Sequence, residues 1–115
     1  MDDLLKKSLE FSNYQQTFSI QRKILKEKIE AKLTYGVNGG IFYIDQTLLT
    51  FVEMLCNKGR TDSIILDKNN TPILIENLED FKNEIFNRYF ESSNEYYTAY
   101  QNLKKSRSVE KLLEQ

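Results

Sequence analysis

The sequence predicts an α+β fold dominated by helix, with two long helices flanking a small β-α-β-β element in the order α-β-α-β-β-α. Two stretches free of Gly and Pro, Asp2 to Tyr35 and Asn77 to Gln115, supply the helices, because these two residues are the strongest local helix breakers. Between them lie all four glycines, the single proline and three short apolar runs, which is the pattern of strands and turns. At 115 residues, 40% of them hydrophobic and 29% charged, the chain has the size and balance of one folded domain spanning 1–115.

The first element is an amphipathic helix over 1–35. Leu4, Phe11, Phe18 and Leu25 recur every seven residues, and Tyr14, Ile29 and Leu33 fall on or near the same stripe. Unbroken, such a helix is about 50 Å long at a rise of about 1.5 Å per residue. That exceeds what a compact domain of this size covers, so part of the stripe is expected to seek a partner. Ser12-Asn13 and Thr17-Ser19 are the places where a break would shorten it.

The middle segment, 36–76, opens with Gly36-Val37-Asn38-Gly39-Gly40, read as the end of the helix and a hinge into a strand at Ile41–Ile44. Asp45 then caps a helix from Gln46 to Lys58. Leu48, Leu49, Phe51, Val52, Met54, Leu55 and Cys56 wrap most of its circumference, so it is expected at the buried centre of the fold. Gly59 closes it. Ser63–Leu66 and Pro72–Ile75 flank the polar stretch Asp67-Lys68-Asn69-Asn70-Thr71, a hairpin signal over 63–76 in which Pro72 begins its strand. With Ile41–Ile44 as a third strand, one small sheet is expected against the central helix; its strand order is left open.

Asn77 and Asp80 start the last helix, over 77–115. Its stripe is Leu78, Phe81, Ile85, Tyr89, Tyr96, Tyr100 and Leu103, broadened by Phe86, Phe90 and Tyr97, with Ser106-Arg107-Ser108 as the place for an interruption. Each long helix opens acidic and ends basic, as the helix dipole favours. An antiparallel pair sets acidic starts against basic ends, at only ~0–1 kcal/mol per exposed pair. The same coiled-coil-like pairing between chains is the alternative.

The chemistry-bearing residues are sparse. Sixteen basic and 17 acidic residues leave a net charge of −1, so no sustained field attracts a phosphate backbone or anionic lipid, and neither nucleic acid nor membrane is expected as a partner. Histidine is absent, which removes the commonest general base and zinc ligand. Cys56 is the sole cysteine; it excludes an intramolecular disulfide, suits a reducing compartment and is read as a core thiol. Gly36–Gly40 lacks the Lys-Ser/Thr of a phosphate loop and runs from helix to strand. Asp67–Thr71 opens like a calcium loop, but Pro72 and Leu78 stand where a Gly and a bidentate Glu belong. Asp45, Glu53 and Asp62 are the carboxylates nearest the apolar middle, and nothing in their spacing singles them out. No enzyme, cofactor or metal is expected. The first residues show no secretory signal, no run approaches the roughly 20 apolar residues of a membrane helix, and a cytoplasmic location is the expectation.

Aromatic residues on the last helix remain, with Arg88 beside them. Stacking on single-stranded nucleic acid is one use of such a surface, but Glu91 and Glu95 lie among the rings, and Tyr and Phe are common protein-interface anchors. Phe86, Tyr89, Phe90, Tyr96, Tyr97 and Tyr100, with Phe11 and Phe18 of the first helix, are therefore the expected protein interface, engaged either by further copies of the chain or by a helical partner.

Phe42-Tyr43-Ile44-Asp45, Ile65-Leu66-Asp67 with Pro72-Ile73, Tyr96-Tyr97 and Leu103-Lys104-Lys105 together resemble a type of small protein from tailed phages, particularly T4-like phages of marine bacteria. The resemblance covers Ile41 to Leu113 and implies a virion-associated or assembly accessory role for a protein of host cytoplasm or virion; no functional residue carries over. Two long helices joined through a small β element are also similar in plan to prefoldin-type chaperones, from which the helix Gln46–Lys58 departs. The leading expectation is a non-enzymatic assembly protein acting through helix-mediated oligomerisation, and the alternative is a prefoldin-like holdase.

Overall fold

The structure, a computed structural model, describes residues 2–113, with side chains for residues 2–106. The elements are α1 (Asp2–Lys32), β1 (Thr34–Val37), β2 (Gly40–Tyr43), α2 (Gln46–Asn57), β3 (Ser63–Leu66), β4 (Pro72–Ile75) and α3 (Leu78–Leu113). The fold is α+β and helix-dominated, with one strand more than the sequence reading supplies. The Gly cluster is a hairpin turn and not a hinge. Asn38 and Gly39 both have positive φ, 51° and 82°, the two-residue geometry whose twist matches that of the strands it joins. The helix stops short of Tyr35 because Thr34 turns its hydroxyl back onto the Glu30 carbonyl (3.1 Å), satisfying one acceptor of the last turn.

Both long helices are continuous, without a break at Ser12-Asn13, Thr17–Ser19 or Ser106–Ser108. The chain divides into two compact units, one built on the first 28 residues together with those from Glu95 onward, the other on Ile29–Asn94. Among the described residues, every buried apolar side chain belongs to the second unit.

In that second unit the hairpins form two separate two-stranded sheets, β1-β2 and β3-β4, and not the single three-stranded sheet expected. Phe42 and Gly40 face the core from β2, and Ile65, Ile73 and Ile75 from the other hairpin, while Ile41, Tyr43, Ile64, Leu66 and Leu74 face outward, the period-two alternation of strands covered on one side. β1 occupies one edge of β2. The other edge is engaged at Ile41, whose N–H donates to Asp67 Oδ2 (3.0 Å) and whose carbonyl accepts from the Lys68 N–H (2.7 Å). A turn thus holds the position a third strand would need.

Gly40 marks where the hairpins approach most closely. A Cβ there would stand 2.5 Å from Ile73 Cγ1 and 2.8 Å from its Cδ1, and β-branched Ile73 has little rotamer freedom with which to yield. Gly40→Ala is expected to destabilise the fold by about 1–3 kcal/mol, the usual cost of overpacking, read as a lower urea midpoint at unchanged slope. A midpoint equal to wild type would show that Ile73 moves aside.

The central helix is less buried than its composition suggests. Of α2, only Leu49 and Val52 are fully covered, and Phe51 and Met54 are exposed. A helix laid on two small hairpins and on α3 has too little partner surface to cover its whole girth.

In the first unit, Glu10, Tyr14, Phe18, Gln21 and Leu25 form the half-buried face of α1, and the Phe18 ring meets Tyr100 of α3 edge-on, centroids 6.3 Å apart. Leu4 and Phe11 are exposed. A seven-residue repeat drifts by about 20° per repeat around a straight helix, so the N-terminal members of the predicted stripe rotate off the covered face.

Candidate functional site: a groove between the second and third helices

Two capping residues fix the ends of the helices that build the groove. Asp45 Oδ1 accepts the Leu48 N–H (2.8 Å), and Asn77 Oδ1 accepts the Asp80 N–H (3.1 Å) while its amide donates to Asp80 Oδ2 (2.9 Å). Each cap satisfies a donor that the first helical turn leaves unpaired. Gly59, at φ 81°, ends α2, as its position in the sequence predicts. Leu49 and Val52 then face inward from α2, and Leu78, Phe81 and Ile85 from α3.

The residues next around each helix line a groove of about 780 Å³, with Met54 and Thr50 on one wall and Phe86, Tyr89 and Phe90 on the other. Phe86 and Phe90 lie 5.9 Å apart and Tyr89 and Phe90 6.3 Å apart, centroid to centroid. Phe90 is 56% exposed and Met54 45%, a large apolar area left in water. Polar groups frame it. Gln46 Nε2 donates to Tyr89 Oη (3.2 Å), and Glu53, also on the lining, pairs with Lys82 at 3.4 Å. Glu79 approaches the same ammonium at 3.6 Å. Burial works to lower the Lys82 pKa, but Glu53 and Glu79 outweigh it and hold it above its usual value.

Phe86, Tyr89 and Phe90 therefore share one surface. Tyr96 and Tyr100 stack on one another at 6.4 Å, with Phe18 against Tyr100, in the other unit. Tyr97 and Phe11 are exposed there. Arg88, which the sequence sets beside the aromatics, is engaged within the fold: Nε donates to Glu84 Oε1 (2.6 Å), and the guanidinium lies 4.3 Å over the Tyr35 ring.

The α2 wall is what sequence reasoning missed. Met54, Thr50 and Gln46 lie in the helix expected at the buried centre, although apolar positions covering most of a circumference already imply one face turned toward something besides the core. No family model, curated protein or solved structure matches this chain.

The carboxylates weighed for chemistry have other roles. Asp45 caps α2, Glu53 pairs with Lys82, and Asp62, 3.6 Å from Arg60, is exposed. Cys56 is only partly covered, not a core thiol; burial pushes its pKa up, with Lys82 opposing, and a raised pKa disfavours the nucleophilic thiolate. Among the described residues no group of three His, Cys, Asp or Glu side chains is placed to hold a metal ion, and no helix is long and apolar enough to cross a membrane.

Proposed function

We propose that this chain is a non-catalytic protein-binding module whose α2–α3 groove takes an amphipathic helix of a partner protein. The observation that carries the reading is the apolar lining in which exposed Met54 and Phe90 join half-buried Phe86 between two capped helices, framed by polar groups that already have partners. A trough between two helices accepts the side chains of a third at i, i+3 or i+4, and i+7, the helix-in-groove mode of recognition. Aromatic and Met side chains supply the anchors. The paired rim adds little affinity but excludes water from the contact.

The test is a selection of random 16-residue peptides displayed against the full chain, with counter-selection on Phe90→Asp. Recovered sequences are expected to carry the helical apolar pattern, and Phe90→Asp or Met54→Asp should weaken their binding by about 30-fold, the equivalent of a hot-spot loss of about 2 kcal/mol. Ile64→Asp, outside the groove, should leave it unchanged. Peptides without helical periodicity, or undiminished affinity in Phe90→Asp, would remove the groove as the binding site.

A further inference from the structure

Asn38 is the only asparagine in the chain that is followed by glycine, and both residues are exposed at the tip of the β1–β2 hairpin. An asparagine amide reacts with its own backbone most readily before glycine, because the attacking nitrogen then belongs to a residue with no Cβ to shield it. The surroundings leave the approach open. A Cβ built on Gly39 would meet nothing within 4 Å, and among the described residues the Gly39 N–H has no hydrogen-bond partner that would hold it back. The other asparagines precede residues with side chains.

Turn geometry restrains this pair. Asn38 has φ 51° and Gly39 φ 82°, and left-handed backbone of this kind carries a ψ of about +30 to +60°. At that ψ the Gly39 nitrogen stands on the far side of the Cα–C bond from the Asn38 Cβ, so a five-membered ring between them cannot close. The amide is also occupied. Asn38 Nδ2 donates to the Leu74 carbonyl (3.0 Å), 36 residues further along the chain, which draws the side chain toward the second hairpin and away from its own backbone.

We propose that Asn38 is a site of spontaneous deamidation, gated by opening of the β1–β2 turn, and that its product unties the two hairpins. Opening lets the Asn38 ψ rotate, and the deprotonated Gly39 nitrogen attacks Asn38 Cγ. The N–Cγ bond forms, the Cγ–Nδ2 bond breaks, and the amide leaves as ammonia with the proton that Gly39 gave up. Water then opens the cyclic imide. Cleavage of the new N–Cγ bond gives aspartate, and cleavage of the original peptide bond gives isoaspartate. Either product is a carboxylate, which has no N–H to donate to Leu74 and sets a negative charge against that carbonyl oxygen. Isoaspartate also adds a methylene to the main chain of a two-residue turn, whose length fixes the strand register. Ammonia is lost to solvent, so each reacted chain keeps a permanent record that its turn opened.

The full chain, incubated at mildly alkaline pH in buffer and in guanidinium chloride, tests this. Samples are quenched in acid, digested with pepsin and mapped by mass spectrometry with electron-transfer fragmentation, which separates aspartate from isoaspartate. Asn38 is expected to convert ahead of every other asparagine in both samples. Conversion should be at least about tenfold slower in the folded chain, equivalent to an opening free energy of about 1.4 kcal/mol or more. Asp67→Ala removes the tie from the second hairpin to Ile41 and leaves the Asn38–Gly39 pair unchanged, so it should speed conversion in buffer by about threefold or more. Circular dichroism checks that this variant is folded; if it is not, the milder Asp67→Asn takes its place. Asn38→Gln, which would need a six-membered ring, should show no conversion at that position. Asn38→Asp supplies the product charge directly and should melt below wild type. Another asparagine converting first would remove Asn38 as the site. Equal rates in buffer and denaturant, or no acceleration in the folded Asp67 variant, would overturn the gating. An unchanged Tm in Asn38→Asp would show that the product leaves the hairpins tied.

Discussion

Phe42→Ala is expected to destabilise the fold by about 3–5 kcal/mol, the range for removing a buried aromatic side chain. Phe42 is among the largest fully buried side chains of the protein and meets Phe81 edge-on at 5.3 Å. Phe81 stacks on Tyr35 at 6.3 Å, and Arg88 covers the Tyr35 ring at 4.3 Å. The aromatic chain thus links β2, α3, β1 and α3 again, and truncation at Phe42 removes the contact on which the first hairpin sits. Two contributions add: the transfer energy of the lost ring and the cavity left behind, since interiors relax only in part. Urea denaturation followed by far-UV circular dichroism measures the sum. A loss below about 1 kcal/mol would mean that the hairpin closes the gap, and that Tyr35 and Phe81 hold it without Phe42.

The same hairpin shows what local sequence signals convey and what they leave out. Caps are readable because the interaction is short-range: Asp45 and Asn77 sit at the starts of their helices and accept the N–H groups expected of them. Gly59 and Pro72 likewise act within a few residues of themselves, one ending α2 and the other starting β4. Asn38-Gly39 is an equally local signal, but it is embedded in a glycine cluster that also suits a helix end, so Thr34–Val37 reads as the tail of α1 until the turn angles decide. Long-range partnerships were not legible. Nothing near Ile41 in the chain announces that its second edge is taken by Asp67 and Lys68, 26 and 27 residues later.

For the candidate site, the division is similar. The aromatics of α3 stand out because bulky rings at helical spacing are conspicuous in any sequence, and Phe86, Tyr89 and Phe90 do share one wall. Tyr96 and Tyr100 look identical in that pattern but are engaged with each other and with Phe18. Which rings are taken up by packing depends on what lies opposite, and periodicity along one helix carries no information about that. The exposed aliphatic residues of α1 are hidden in the sequence for the same reason. Leu4, Phe11, Phe18 and Leu25 form a conspicuous heptad series, and it draws attention away from Leu5, Leu9, Ile20 and Ile24, which are separated by polar turns.

Asp67→Ala is expected to lower Tm by on the order of 10 °C at neutral pH, the scale of losing a fully used acceptor in a domain of this size. Oδ1 accepts from Asn69 N–H and Thr71 N–H (2.8 Å each), closing the β3–β4 turn, while Oδ2 accepts from Ile41 N–H (3.0 Å), tying that turn to the other hairpin. What opens like a cation loop in the sequence is a carboxylate occupied by donors. The bonds from Ile41, then Thr71 and Asn69, hold its pKa below the usual carboxylate value against the opposing effect of burial. A depressed folded-state pKa contributes stability that is complete above the unfolded value, about 3.9 for Asp, and is lost as pH falls from there through the folded value. Asp67→Asn separates the two halves of the role: its carbonyl can still serve the turn, but its amide group presents hydrogens to the Ile41 N–H. Tm measured from pH 7 down to about 3 should therefore show the gap between wild type and Asp67→Asn narrowing once pH falls below about 3.9. A gap that stays constant across that window would show that the charge contributes nothing and that Asp67 acts through shape alone.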